Sequence, residues 1–197
     1  MLNNGTKQLK ILTNSHYSIN ITHTNLYESR NKLSYVETEA LFGEIFLVKK
    51  IVDGWAFGIL LKDNYRGWLK SSSLNQILKP THKVIVPNTN IYKEPQDKSN
   101  IILKLSFNSF VKVVEISSCW TKILYSHNPK RYGFIPHFHL DKINKKFKNW
   151  FKFVLYFKDV PYKWGGKTTG GIDCSGLVQI GLQQYLDTFP RNTSQQK

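Results

Sequence analysis

Apolar and β-branched residues recur in two matching sets along the first two-thirds of the chain. When Trp55 is aligned with Trp120, a shift of 65 residues, the strand-like runs that begin at Ile45 and Phe110 coincide. Two glycine-aromatic-aliphatic triplets then also coincide after one inserted residue, namely Gly67-Trp68-Leu69 and Gly133-Phe134-Ile135. Dense β-branched and aromatic residues between turn residues are typical of short antiparallel strands. We therefore predict two copies of one small β-barrel unit.

The last third of the chain has helical rather than strand-like periodicity. Apolar residues recur at spacings of three and four from about Asp141 to Lys158, which predicts an amphipathic helix. A second helix is predicted to follow Cys174, with Asp173 as its N-cap. The predicted fold class is mainly β with an α+β part. Its domains are residues 1–80, a β-unit with an N-terminal extension, residues 81–140, the second β-unit, and residues 141–197, the mixed segment.

Charge and composition narrow the function classes. The 197 residues contain 28 basic and 13 acidic side chains, a net charge of +15. This excess is spread along the chain, and we interpret the one dense lysine run, Lys142 to Lys152, as the solvated face of the first predicted helix. A nucleic-acid partner is therefore not expected. No apolar run approaches the roughly 20 residues that cross a bilayer, so no membrane span is expected.

Cysteine usage and the start of the chain indicate the compartment. The first twenty residues lack the apolar segment of a signal peptide, so we expect a cytoplasmic protein. The two cysteines, Cys119 and Cys174, are not expected to form a disulfide framework. Cys119 precedes Trp120 in a strand context, and we interpret it as a structural residue.

Cys174 has the setting of a nucleophile. It falls in the first turn of a predicted helix, where unpaired backbone N–H groups and the helix dipole stabilise a thiolate. Glycines flank it at positions 165, 166, 170, 171 and 176. Glycine permits close approach of a substrate backbone and is costly to retain for packing alone. The residues thus favour nucleophilic catalysis by a thiol.

Two strings around this cysteine carry a family resemblance. Pro161-Tyr162-Lys163-Trp164-Gly165-Gly166 and Gly171-Ile172-Asp173-Cys174-Ser175-Gly176-Leu177 resemble the opening of the NlpC-type cysteine peptidases, a papain-like family that cleaves bacterial cell-wall peptides. The two β-units resemble bacterial SH3-like domains. The whole arrangement resembles the γ-D-glutamyl-L-diamino acid endopeptidases of the dipeptidyl-peptidase VI type, which act on peptidoglycan stem peptides with a free N-terminal L-alanine. The implied fold is two SH3-like barrels followed by the N-terminal helical part of a papain-like domain.

The resemblance implies roles for residues near the cysteine. Cys174 would attack the γ-D-glutamyl carbonyl and form a thioester, while the Tyr162 hydroxyl would stabilise the developing oxyanion. Tyr162 could instead only pack beside Trp164. Asp173 and Ser175 match positions that bind the substrate ammonium, which a carboxylate can pair with. Asp173 could be an N-cap alone or serve both roles, because a carboxylate has several acceptor sites.

The resemblance also assigns residues of the first β-unit to the substrate site. Leu41-Phe42-Gly43-Glu44 resembles the loop that contributes a glutamate, so Glu44 is a candidate second anion for the ammonium. Tyr65-Arg66-Gly67-Trp68 resembles the loop that contributes a tyrosine, so Tyr65 is a candidate wall or hydrogen-bond donor. Glutamates and strand tyrosines are also common structural residues, which leaves the alternative open for both.

The base of the expected reaction has no candidate in the sequence. The family supplies a histidine downstream of the cysteine, whereas all six histidines precede Cys174, at positions 16, 23, 82, 127, 137 and 139. We therefore expect a truncated catalytic domain that is inactive alone. The alternative is a binding module for cell-wall peptides with a vestigial peptidase segment. A thioester mechanism needs no metal, and we expect no cofactor, with a peptidoglycan-derived peptide as the partner.

Overall fold

The protein is predominantly β, as the sequence predicts. Its structure, a computed structural model, describes residues 10–196. Residues 1–9, which fall in the N-terminal extension of the first predicted domain, and Lys197 lie outside the described residues. Two seven-stranded antiparallel sheets are followed by a segment with two short helices and a two-stranded ribbon.

The first unit, residues 15–76, forms the first sheet. Its strands lie in the spatial order β3-β2-β6-β5-β4-β1-β7. Their bounds are β1 (Ser15–Ile19), β2 (His23–Tyr27), β3 (Val36–Leu41), β4 (Ile45–Val52), β5 (Trp55–Leu60), β6 (Tyr65–Lys70) and β7 (Leu74–Gln76). The inward side chains alternate along these strands and form one core that includes Ile19, Leu26, Phe46 and Leu69.

The second unit, residues 82–142, repeats this topology, with strand order β10-β9-β13-β12-β11-β8-β14. The bounds are β8 (His82–Val84), β9 (Asn88–Tyr92), β10 (Ile101–Ser106), β11 (Phe110–Ile116), β12 (Trp120–His127), β13 (Lys130–Pro136) and β14 (Leu140–Lys142). The register repeats too, because the pair Leu26 and Thr38 has its counterpart in Ile91 and Leu103. The 65-residue shift seen in the sequence is therefore a repeat of structure.

The C-terminal segment, residues 143–196, contains helices α1 (Phe151–Val154) and α2 (Cys174–Leu182) and strands β15 (Lys167–Thr168) and β16 (Gly171–Ile172). The long helix predicted from Asp141 to Lys158 is wrong. Asp141 and Lys142 extend the second sheet by pairing with β8, and the Phe147 amide donates to the Gln184 carbonyl. These tertiary hydrogen bonds take backbone groups that a helix would need, so only one α-helical turn forms.

The three parts are joined by two phenylalanines at equivalent repeat positions. Phe42, between β3 and β4, inserts into the core of the second unit. Phe107, between β10 and β11, inserts into the core of the C-terminal segment, where it stacks on Phe153 with ring centroids 5.3 Å apart. Gly43 after Phe42 has a φ of +80°, and a Cβ there would lie 1.9 Å from the Phe110 carbonyl oxygen. Only glycine fits this approach of the two backbones.

Candidate active site

The nucleophile predicted from the sequence stands at the start of a helix. Cys174 is the first residue of α2, and its side chain is exposed. The preceding Asp173 is the N-cap, with its Oδ1 accepting a hydrogen bond of 2.7 Å from the Gly176 amide. An N-cap of this kind holds the first turn in place and leaves the amides near the thiol without helical partners.

Cys174 opens into a cavity of about 400 Å³ between the first unit and the C-terminal segment. Four other residues predicted to act there also line it: Tyr65, Tyr162, Asp173 and Ser175. The remaining lining residues are Glu28, Tyr35, Glu37, Trp164, Arg191, Asn192, Thr193 and Ser194. The structure thus brings together residues that are more than 100 positions apart in sequence.

A buried guanidinium ties the floor of the cavity to the first unit. Arg191 donates from Nη2 to Asp173 Oδ2 at 2.6 Å, from Nη1 to Ser175 Oγ at 2.7 Å and from Nε to Thr38 Oγ1 at 2.9 Å. Burial alone would raise the pKa of the Asp173 carboxyl. The hydrogen bond and charge of Arg191 and the hydrogen bonds from the Gly176 and Gly165 amides lower the pKa by more than burial raises it, so it lies below its usual value. Asp173 is therefore ionised and serves as the anchor of Arg191.

Two glutamates of the first unit form an acidic wall of the cavity. Glu28 and Glu37 both line the cavity, and Glu37 Oε2 accepts a hydrogen bond of 2.6 Å from the Tyr65 hydroxyl. The same hydroxyl lies 2.9 Å from Asn192 Oδ1 on the C-terminal segment. Burial, followed by the hydrogen bond and charge of Glu37, raises the pKa of Tyr65 to about 12. Tyr65 therefore keeps its proton and links Glu37 of the first unit to Asn192 of the C-terminal segment.

The structure does not bring Glu44 to this cavity. Its side chain is buried, with Oε2 accepting from the Leu41 amide at 2.8 Å and Oε1 lying 3.4 Å from Lys167 Nζ. Burial raises the pKa of Glu44, and the charge of Lys167 opposes this effect. This position does not support the predicted role of Glu44 as a second anion for the substrate. An ammonium in the cavity cannot reach a carboxylate that is buried against Lys167 of the C-terminal segment.

Glu28 and Glu37 were missed by the motif strings, although the repeat contained a signal for them. At the equivalent positions the second unit has Lys93 and Ile102, as the shared register of β2 with β3 and of β9 with β10 shows. A carboxylate present in one copy and absent from the other is unnecessary for the shared fold. Such differences between repeats point to a function of one copy.

No histidine lines the cavity among residues 10–196. His16, His23, His82 and His127 lie on strands β1, β2, β8 and β12, and His137 and His139 flank Phe138 in a 3₁₀ turn. Within that same range, no group of three or more His, Cys, Asp or Glu side chains could hold a metal ion. The helices described are also too short or too polar to span a bilayer.

Comparisons with known proteins agree with the sequence motifs. Residues 26–74 match the model of the bacterial dipeptidyl-peptidase SH3 domain, and residues 159–197 match that of the NlpC/P60 family. No curated protein matches the chain. These two matches confirm the resemblance of each segment that the motifs predicted.

The fold is similar to the crystal structure of an NlpC/P60 family protein from Bacillus cereus. The two chains are 17% identical, with a TM-score of 0.78 over 92% of this chain and 76% of the other. NlpC2 and NlpC1 from Trichomonas vaginalis align at 21% identity over 95% and 98% of this chain and 72% and 73% of theirs, but with TM-scores of only 0.34 and 0.32. The chain therefore has the fold of an NlpC/P60 family protein, with an SH3 module of the bacterial dipeptidyl-peptidase type before an NlpC/P60-type segment.

Proposed function

We propose that the protein is a cysteine peptidase of bacterial cell-wall peptides, with Cys174 as its nucleophile. The observation that carries this proposal is the exposed thiol at the N-terminus of α2, open to a cavity with an acidic wall. A helix N-terminus favours the thiolate form. The match of residues 159–197 to the NlpC/P60 family supports the reaction class.

The proposed chemistry is acyl transfer through a thioester. The Cys174 sulfur attacks the carbonyl carbon of the scissile amide, and the carbonyl oxygen becomes an oxyanion that the Tyr162 hydroxyl stabilises. The C–N bond then breaks, and the amine leaves with a proton. Water hydrolyses the thioester, releases the carboxylate product and returns the thiol. Tyr162 is largely exposed and lines the same cavity, so its hydroxyl is free for this role.

We further propose that the substrate is a stem peptide with a free N-terminal L-alanine, cleaved at its γ-D-glutamyl–diamino acid bond. Glu28 and Glu37 supply two carboxylates on the wall of the cavity, and a free ammonium would pair with them. Asp173 is a weaker candidate, since Arg191, Ser175 and two amides already donate to its oxygens. We therefore assign the ammonium to the glutamate wall.

The test is hydrolysis of L-Ala-γ-D-Glu-diaminopimelate, followed by detection of the released diamino acid. Cys174→Ala should abolish turnover, whereas Cys119→Ala should leave it unchanged. Cys119 is a matched control because it is the other exposed thiol. Equal rates for the native chain and Cys174→Ala would refute the assignment of the nucleophile.

A second candidate is binding of the same peptide without hydrolysis. It is favoured by the lack of a histidine among the described cavity residues, because a thiol peptidase needs a base. Calorimetry with the tripeptide and with its N-acetylated form separates the cases. Binding of the tripeptide but not of its N-acetylated form, without turnover, would support a binding module. Turnover would refute it.

A further inference from the structure

Three lysine ammonium groups converge on one aromatic ring at the junction of the second unit and the C-terminal segment. The Nζ atoms of Lys83, Lys145 and Lys152 lie 5.4, 5.9 and 5.3 Å from the centroid of the Phe147 ring. No two of them can therefore be more than about 11 Å apart. The helix that would have turned these lysines toward solvent does not form, so their convergence has no explanation in a solvated helix face.

Two more lysines complete this group, and few carboxylates balance it. The lysine cluster is Lys62, Lys83, Lys145, Lys146 and Lys152. Lys62 comes from the turn between β5 and β6, so all three parts of the chain contribute. Lys62 donates to the Asp187 carbonyl oxygen at 3.3 Å, and Lys146 lies 2.9 Å from the carboxylate of the same residue. The other ion pair of the cluster is Asp141 with Lys145, at 3.7 Å. The charges of Glu44 and Asp63 also act on Lys62, but Glu44 is already paired with Lys167. Among residues 10–196, Lys83 and Lys152 have no carboxylate within 4 Å, so the cluster keeps an excess of positive charge.

Lys83 is the buried member of the lysine cluster. Its residue is only 4% exposed, and its described hydrogen bond is one of 2.9 Å to the Lys145 carbonyl oxygen. Burial, followed by the positive charge of Lys62, lowers the pKa of Lys83 to about 8. A buried ammonium is costly unless it is paired. The site therefore has positive potential and donor capacity that the described side chains do not use.

We propose that the lysine cluster is a binding site for a phosphate group. A phosphate carries nearly two negative charges and three acceptor oxygens, which suits several ammonium donors converging from different elements. The Nζ atoms of Lys83, Lys145 and Lys152 all lie within about 6 Å of the centroid of the Phe147 ring, and an aromatic ring attracts cations, which offsets part of their mutual repulsion. The site is separate from the cavity of Cys174, and the inference does not depend on the proposed peptidase function.

The experiment uses the full chain, with inorganic phosphate and tripolyphosphate as probes, in calorimetric titrations at constant ionic strength. Saturable binding is expected, and Lys145→Ala and Lys152→Ala should each weaken it by about tenfold, as expected for loss of a charge-assisted hydrogen bond. Both side chains are exposed enough to be replaced without disturbing the core. Binding of both probes would indicate a small phosphate compound, and binding of tripolyphosphate alone would indicate a chain of phosphates.

Lys148→Ala is the matched control. Lys148 follows Phe147 directly, is exposed and is not one of the cations around its ring. Lys148→Ala removes the same net charge as Lys145→Ala, but from a residue outside the lysine cluster. Its affinity for the probes should therefore stay within twofold of that of the native chain. Cys174→Ala should also bind normally. The proposal is overturned if neither probe saturates, or if Lys148→Ala weakens binding as much as Lys145→Ala, because the attraction would then reflect only net charge.

Discussion

The two β-units have the same backbone fold but carry different side chains at equivalent surface positions. Both have the same strand order, the same register and the same pair of a tyrosine against a tryptophan, with ring centroids 5.6 Å apart in the first unit and 5.5 Å in the second. The first unit has Glu28 and Glu37 where the second has Lys93 and Ile102. The shared residues maintain the common sheet, and the differing residues give the first unit two carboxylates that line the cavity of Cys174.

The units also hold the C-terminal segment by different physical means. The first unit uses charged groups: Glu39 pairs with Lys163, and Thr38 accepts from Arg191. The second unit uses the Phe107 ring and neutral amides, with Asn108 bonded to Gln183 and Gln184. The ionic seam should respond to pH, whereas the apolar seam should respond to loss of packing.

The largest expected effect comes from the two inserted phenylalanines. Phe42→Ala and Phe107→Ala should each lower the free energy of unfolding by about 3–5 kcal/mol, because both leave a cavity in a packed core. Urea denaturation measures this change. Phe138→Ala is the control, since that ring is 72% exposed. A cost below about 1 kcal/mol for either buried ring would contradict its insertion into a neighbouring core.

Asp173→Asn tests the ionic seam through Arg191, which pairs with Asp173 and donates to Thr38 of the first unit. The variant should cost about 3 kcal/mol, because it leaves the buried Arg191 charge unpaired. The pKa of Asp173 is lowered in the folded state. The stabilisation that ionised Asp173 gives the folded chain is therefore fully present above the pKa of this carboxyl in the unfolded chain, about 4. It is lost as the pH falls through the lower pKa that the carboxyl has in the folded chain. The variant should show a flatter loss of stability below pH 4 than the native chain.

Asp97→Asn in the second unit is the control for this acid titration, since that residue is exposed and far from Arg191 in the chain. Hydrogen exchange adds a spatial test. Protection at the seam with the first unit should fall in acid before protection around Phe107. The reverse order would contradict the assignment of an ionic and an apolar seam.

Exchange of residues between the repeats tests the acidic wall. Glu28→Lys with Glu37→Ile gives the first unit the residues of the second and should weaken tripeptide binding by about 100-fold or more, because two charge-assisted hydrogen bonds worth about 1.5–3 kcal/mol each are lost. Calorimetry in the Cys174→Ala background measures binding without turnover. Glu115→Lys in the second unit, at an exposed position, also raises the net charge and should change nothing. A loss equal to that of the exchange variant would show that only net charge matters.

The smallest expected effect concerns Tyr65. Its pKa is raised to about 12, so between pH 10 and 12 the unfolded chain loses a proton that the folded chain retains, and stability falls as the pH rises. Tyr65 is partly exposed, which limits the effect to about 1 kcal/mol or less. Tyr65→Phe should remove this part of the alkaline slope in denaturation curves. Tyr132→Phe in the second unit should leave the slope unchanged.

Local patterns predicted much of the fold and part of the site. The repeat, the strands that begin at Ile45 and Phe110 and the capped helix at Cys174 follow from short-range periodicity and capping. The helix predicted across Asp141 was wrong because β8 captured its first residues by strand pairing. The motif containing Glu44 was found, but its carboxylate turned into the seam toward Lys167. A motif marks a loop, and packing decides which side chain of that loop reaches the cavity.

The sequence by itself determined the two β-units and the helix that begins at Cys174 with its N-cap, because backbone sterics, side-chain alternation and capping act over a few residues. Tertiary structure alone decided that Glu28 and Glu37 face Cys174, that Arg191 joins Asp173 to Thr38, and that each inserted phenylalanine fills the core of the next part. These contacts join residues far apart along the chain. They arise only when buried surface and paired charges offset the entropy lost in bringing such distant segments together.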